Sequence, residues 1–346
     1  MILKYLRNTL YISTAVIYII LLISSCRPDS RKADVSGVQV HMDFLRFERD
    51  LFESDPNNMA ASIASLRSKY GSFFDLFAFQ VTRLGSRDSL LMQQHFHDFI
   101  ADTNFRAVYK QCEKTFGDFS PYEQELTKAF QHYSYHLPGK TVPKIVTLLS
   151  AFSYPVICDS THLGISLDMY LGSDYPMYNT LEPALPNYLR IHMRPEYVVS
   201  DAMKGWIQSD YSIDDSQSNL IEQMVSEGRI LTCLGYIFPD LHDSITSGFS
   251  SAQLKWCENN ERMIWSFFVE NKILFTKEPS IMMKYVGEGP TTNGFPKESP
   301  GNIGQYIGWR IVNSYMKNHP EISLRMVMEE KNLSKIFQES KYKPKK

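Results

Sequence analysis

The residue best placed to do chemistry is Cys26, which closes the run Ile23-Ser24-Ser25-Cys26. A thiol at that point can take a diacylglycerol as a thioether. The small Ser24 and Ser25 leave room for a peptidase to cut the bond before it. Upstream lie Lys4 and Arg7, then a mostly apolar run from Leu10 to Ile23. A charged start, an apolar segment and small residues at a cut make a secretory signal, and the ending has the form of a lipobox, in which the cysteine becomes the acylated first residue. A membrane span needs about 20 apolar residues; this run is shorter and is broken by Ser13 and Thr14. Residues 1–25 therefore read as a lipoprotein signal peptide and Cys26 as the lipidation site.

Other groups with chemical potential are scattered. No H-E-x-x-H occurs, the motif that places two zinc ligands and a base on one helical face. His132-Tyr-Ser-Tyr-His136 aligns two imidazoles at i, i+4 but lacks the glutamate and a third ligand, so it reads as a surface pair or as partners of a helix C-terminus. His95 and His97 would diverge by about 200° on a helix. There is no G-x-S-x-G elbow and no P-loop, and Asp214-Asp215 sits in a Ser/Gln-rich loop. No cofactor and no metal are expected. Cys112, Cys158, Cys233 and Cys257 show no C-x-x-C spacing, which excludes a zinc ribbon or a thioredoxin-type site. They could pair in an oxidising compartment, although apolar neighbours such as Leu231 and Leu234 favour buried free thiols.

The elements that must position these groups are mainly helical. Arg27 to Val40 has no apolar periodicity and reads as a solvated tether, residues 26–40 in all. Met42–Leu51 opens the folded part. Met59, Ile63, Leu66 and Tyr70 form a helical stripe, and a second helix covers Leu90–Ile100. Ser120-Pro121-Tyr122-Glu123 starts a helix, with Ser120 as its cap, that stops at Leu137-Pro138-Gly139. Lys144–Leu149 and Leu163–Leu171 read as two strands of a small sheet. Helices return at Pro195–Ile207, at Asn219–Leu234, from the capping box of Ser250 and Gln253 toward Phe275, and at Asn302–Lys317. Gly228 lies mid-helix, where glycine costs about 1 kcal/mol relative to alanine, so another element should pack against it. Gly304 and Gly308, four apart, should clear one side of the last long helix. The basic end from Ser340 onward reads as frayed. The fold class is α+β, mainly α: one domain, 41–346, with a small β-sheet and many helices.

Composition narrows the function. Residues 1–25 carry two basic and no acidic groups, which leaves 34 basic against 38 acidic in the remainder, a net charge of −4. That balance gives no support to nucleic-acid binding, and a 43% hydrophobic content is ample for a packed core.

Several runs carry a family resemblance. Met224-Val-Ser-Glu-Gly-Arg-Ile-Leu, Gln253 to Trp265, Pro300 to Met316 and Ile336 to Pro344 resemble the GldB family of gliding motility-associated lipoproteins. The likeness covers most of the chain and is densest after residue 170. It implies a cell-envelope lipoprotein working with the gliding machinery and the associated type IX secretion system, held to the membrane through Cys26. Arg27, where aspartate would retain a lipoprotein inside, leans toward an outer-membrane anchor facing the periplasm. The C-terminal half also resembles, remotely, the gluzincin-type zinc peptidases, whose layout is a small sheet, a zinc helix and a helix with Glu-Gly. Glu227-Gly228 would fall at the third-ligand position, and Arg194 to Asp201 where the zinc helix belongs, without either histidine. That departure implies a non-catalytic scaffold with a vestigial site at Glu196, Asp201 and Glu227. The alternative it leaves is an exported hydrolase with an atypical site at those acids. A third reading is a lipoprotein that holds glycan or peptide on its aromatic surface.

Overall fold

The computed structural model describes residues 31–213 and 217–344; Cys26, the signal segment and Asp214-Asp215 lie outside them. Its helices of eight residues or more are α1 (Met59–Tyr70), α2 (Ser89–Ala101), α3 (Thr103–Phe116), α4 (Ser120–His136), α5 (Val198–Tyr211), α6 (Leu220–Ile237), α7 (Ser251–Glu270), α8 (Pro279–Val286), α9 (Ile303–Asn318) and α10 (Leu333–Ser340). The α1 stripe is buried as its spacing requires. In α7, Ser250 and Gln253 form the expected capping box, at 3.1 and 2.9 Å. A second box, Asn219 with Glu222, opens α6. Ser120 is already helical instead of capping: its N–H is held by Asp118 Oδ1 at 3.0 Å.

The sheet has four strands, in the order β1 (Phe44–Arg46), β2 (Lys144–Leu148), β4 (His162–Ser166), β3 (Val156–Cys158). β1, β2 and β4 are parallel, and β3 lies antiparallel along β4 at one edge. The sequence pointed to two strands; β1 and β3 are three residues each, too short to leave a periodic signal. The run from Leu163 to Leu171 is not one strand either. It leaves the sheet after Ser166 and coils as a 3₁₀ turn over Leu167–Tyr170. The short helix Phe47–Phe52 follows β1 directly and is tied back to the sheet by a buried carboxylate. Glu48 accepts from Arg46 Nε (2.6 Å) and from Thr147 Oγ1 on β2 (2.7 Å).

The helical part is assembled on α6. Thirteen of its 18 residues are buried, so it is a core helix and not a surface one. α9 lies along it, and the approach is set by glycine. A Cβ built on Gly308 would fall on the carbonyl of Met224, and one on Gly228 would fall on the Gly308 backbone and 2.6 Å from Trp309 N. The two backbones are in direct contact. Gly304 does not share that face: its Cβ would meet Tyr285 O at 2.8 Å and Val286 Cγ1 at 3.1 Å, at the end of α8. The two glycines of α9 thus clear room for two different helices. On the other side, Gly205 lets α5 sit close on β3, where an added Cβ would lie 2.6 Å from Val156 Cγ1.

Both ends of the packed chain reach further than the sequence indicated. Val35 is buried, and the Val38 carbonyl accepts from Gln131 on α4 at 3.0 Å, so the stretch read as tether is docked from Val35. The C-terminal residues are not frayed at Ser340. Its carbonyl takes Ser314 Oγ (2.9 Å) and Asn318 Nδ2 (2.7 Å), and Tyr342 Oη donates to Glu261 Oε1 at 2.9 Å. Glu261 is buried and also meets Tyr306 Oη (3.1 Å) and Arg310 Nε (3.2 Å), joining α7, α9 and the tail. The four cysteines among the described residues are free thiols; Cys112, Cys233 and Cys257 are buried and Cys158 partly so. Burial raises the pKa of all four, of Cys158 and Cys257 to about 12, which keeps them protonated and unreactive.

Gly308→Ala tests the backbone contact. Alanine gains about 1 kcal/mol of helix propensity. Overpacking costs about 1–3 kcal/mol, and the clash is with a carbonyl that no rotamer change can relieve. With the cost at the top of that range, a net loss of about 2 kcal/mol in denaturant unfolding is expected, whereas an unchanged midpoint would show that α9 does not rest on α6 there.

Candidate functional site

The carboxyl ends of β2 and β4 are where an open parallel sheet presents groups to a ligand, and here they lead to two buried titratable side chains, Asp168 and Tyr170. Beyond β2 the chain passes through Ala151 (φ 56°) and Phe152 (φ 61°), left-handed conformations uncommon for residues with a Cβ. Asp168, fully buried in the turn after β4, holds them by accepting the N–H groups of Ser150 (3.1 Å) and Phe152 (2.8 Å). Burial lifts its pKa to about 6 against those hydrogen bonds, which favour the charged form. Tyr178 Oη bonds the Asp168 carbonyl at 2.8 Å. Asp168 is therefore the clamp of a strained turn.

Two residues on, Tyr170 Oη donates to Asp201 Oδ2 of α5 at 3.1 Å. Asp201 is half-buried. Desolvation raises its pKa to about 7; Lys204, one turn along α5, and the Tyr170 hydrogen bond oppose the rise, and Glu288 adds to it. His192, in the turn before α5, lies edge-on to Tyr197 with ring centroids 5.1 Å apart. Its pKa is lowered by burial first, and it feels the same Glu288 and Lys204. Four segments therefore bring two acids, an imidazole, an amine and a phenol into one electrostatic neighbourhood. A carboxyl that is half protonated near neutral pH can give or take a proton, which is the chemistry open to this cluster.

The three acids expected as a vestigial site do not converge. Glu196 is exposed and pairs with Arg194 Nη2 at 2.8 Å. Asp201 points to Tyr170. Glu227 lines a separate groove of about 480 Å³ between α5, α6 and α8, beside Gln208, Gln223 and Met282. Among the described residues no group of three or more His, Cys, Asp or Glu is placed to hold a metal ion. The reading of His132 and His136 as surface residues is corrected. His132 is buried, and His136 sits edge-on to Tyr236 of α6 at 5.0 Å. Burial depresses both, His136 to about 4, so at neutral pH neither carries the charge that a helix C-terminus would attract. Their rings are nearly parallel, 15° apart with centroids at 6.3 Å. His95 bonds the Leu84 carbonyl and His97 faces Asp98 in solvent.

The sequence carries one signal for this cluster. Asp168 interrupts an otherwise β-prone run, and aspartate is depleted in strands, so the chain should turn there and project Tyr170 beyond the sheet.

Comparison with known proteins adds one decisive finding. The family model for the gliding motility protein GldB matches residues 28–344. The chain belongs to the GldB family. No curated protein and no solved structure matches it. The GldB match begins two residues after Cys26 and runs through the docked tail at Tyr342. It therefore spans both the sheet with its Asp201 cluster and the α6–α9 core. In the described part of this GldB chain no helix is long and apolar enough to cross a membrane.

The raised pKa of Asp201 makes stability depend on pH. The folded state holds this proton more tightly than the unfolded chain, so the contribution is complete below about pH 4 and is lost as pH rises through about 7. Asp201→Asn keeps an acceptor for Tyr170 and abolishes the loss. The variant should match the parent at pH 4 and exceed it at pH 8 by about 1–3 kcal/mol, less than the full shift implies because the group is partly solvated. Parallel stability curves from pH 4 to 8 would contradict this assignment.

Proposed function

We propose that this GldB-family chain is a non-catalytic lipoprotein, held to the outer membrane on its periplasmic side through Cys26. There it binds or positions components of the gliding motility and type IX secretion machinery. The observation that carries the reading is the extent of the family match, which takes up almost at the proposed lipidation site and continues to residue 344. A lipid anchor followed by a short stretch and then a packed domain suits a protein that presents a fixed surface near a bilayer. Support for packing as the selected property comes from the buried glycine contact, the capping boxes and the Glu261 network, which hold surface in place without a reacting group among them.

A second reading is favoured by one observation. Asp201, with its pKa near neutrality, stands on the helix that packs against the sheet, and Glu227-Gly228 lies on the next helix. An exported hydrolase of gluzincin-like layout would draw its acid or base from these positions. Measured zinc and peptidase activity lost in Asp201→Asn and Glu227→Gln would select it over the scaffold.

Cys26→Ala tests the anchor. The variant should fold with an unchanged melting temperature, fractionate with the soluble envelope contents instead of the membranes, and fail to restore gliding in a deletion strain. Persistence in the membrane fraction would remove the anchoring claim, and full gliding from a released protein would remove the need for it.

A further inference from the structure

Between α1 and α2 the chain makes an irregular excursion. Leu76–Val81 is a turn of π-helix, in which the Thr82 N–H reaches back five residues to the Phe77 carbonyl at 3.0 Å; such turns are rare and recur at functional sites. Arg83 follows in a left-handed conformation, φ 57°. The π-turn buries Phe77, Ala78 and Val81 and leaves Phe79 outside, 44% exposed. The Phe79 ring lies on Gly85, where an added Cβ would run into it. The neighbouring Leu84 carbonyl meets His95 Nδ1 of α2 at 3.0 Å, and Leu91 stands one helical turn before His95 on the same side of α2. The loop and the first turn of α2 therefore make one continuous surface.

That surface breaks the pattern of an amphipathic helix, which keeps polar residues away from its buried side. α2 buries Met92, Phe96, Phe99 and Ile100, yet Leu90 and Leu91 are 74% and 48% exposed. Arg83 and Arg87, in the same loop, are exposed as well. Acids close in sequence are engaged elsewhere. Asp75 pairs with Arg67, and Asp88 caps α2 by accepting the N–H groups of Leu90 (2.9 Å) and Leu91 (3.2 Å). Neither guanidinium has an ion pair among the described residues. Three exposed apolar side chains beside two cations without counter-charges match a surface that is apolar within and anionic at its rim, which is a bilayer of acidic lipid. Nine peptide steps separate Cys26 from Val35, where packing begins. Fully extended they span about 30 Å, so an anchored chain keeps its domain within reach of the headgroups.

We propose that the face formed by Phe79, Leu90, Leu91, Arg83 and Arg87 seats on the anionic bilayer that holds the Cys26 lipid. The apolar side chains enter the acyl boundary and the guanidiniums meet headgroup phosphates. The proposal rests on the anchor and adds a fixed orientation of the domain to it. The test uses the full lipidated protein reconstituted in phosphatidylcholine vesicles with and without phosphatidylglycerol, all carrying a doxyl-lipid quencher. With Cys26 acylated and the remaining thiols protonated and unreactive, a bimane label goes to Leu90→Cys or to the control Met326→Cys, an exposed position outside this face. The expected result is quenching of the Leu90 label in phosphatidylglycerol vesicles and none of the Met326 label. Adding Arg83→Glu and Arg87→Glu should weaken that quenching at least twofold at unchanged melting temperature. Protein that floats with the vesicles while its Leu90 label stays unquenched would overturn the proposal and leave the anchor standing. A label shielded from water yet unquenched would assign the face to a second copy or another protein, and equal quenching at both positions or quenching unmoved by the glutamates would overturn the proposal too. Protein that does not float with either vesicle would remove the anchor, and the proposal with it.

Discussion

The fold depends on one close contact, the backbone of α9 lying on the backbone of α6 at Gly308 and Gly228. Side chains on α6 face every neighbour, so its position fixes α4, α5, α8 and α10 as well. A single methyl group at Gly308 would fall on the Met224 carbonyl and would have to push two long helices apart. Because protein interiors are packed like crystals, that displacement cannot be absorbed locally. Glycine is unfavourable in a helix for its own sake, and its presence mid-helix in both partners is explained by what the absent side chains allow.

Buried charge is used in the same structure for joining segments far apart in sequence. Glu48 ties the first short helix to β2, Glu261 ties the C-terminal residues to α7 and α9, and Asp168 holds a strained turn beside the sheet edge. Each of these acids is hydrogen-bonded by at least two groups. Breaking one partner from such a set is costly because it strands a desolvated carboxylate. Asp201 differs: one phenol bonds it and solvent reaches it. Among these four acids it is therefore the one free to exchange its proton without dismantling the fold.

Much of this was legible in the amino-acid sequence where local rules decide. The capping box at Ser250 and the apolar stripe of α1 follow from side-chain spacing alone, and the mid-helix Gly228 announced a close neighbour. What escaped depended on partners distant in the chain. β1 and β3 are too short for periodicity to mark. The turn at Asp168 was hidden by β-prone neighbours. The burial of His132 and His136 depends on α6, whose approach a helix-by-helix reading does not contain. The docking of the tail through Tyr342 needs Glu261, some eighty residues earlier. Arg229 did carry a signal, a guanidinium on the apolar side of a core helix, but its carbonyl acceptors, Met328 and Glu330, come from about a hundred positions away. The three acids grouped by resemblance have different surroundings: Glu196 pairs with Arg194 on a solvent-facing turn, Asp201 takes Tyr170, and Glu227 lines a groove beside α8.

The measurement that bears most directly on the account is crosslinked capture of the lipidated protein from its native envelope, with metal content assayed on the same sample. A scaffold of the gliding and secretion apparatus predicts motility or secretion components in the captured material and no stoichiometric zinc. Stoichiometric zinc in a protein captured without such components would contradict it, and would turn attention to Glu227 and Asp201 as parts of a catalytic centre.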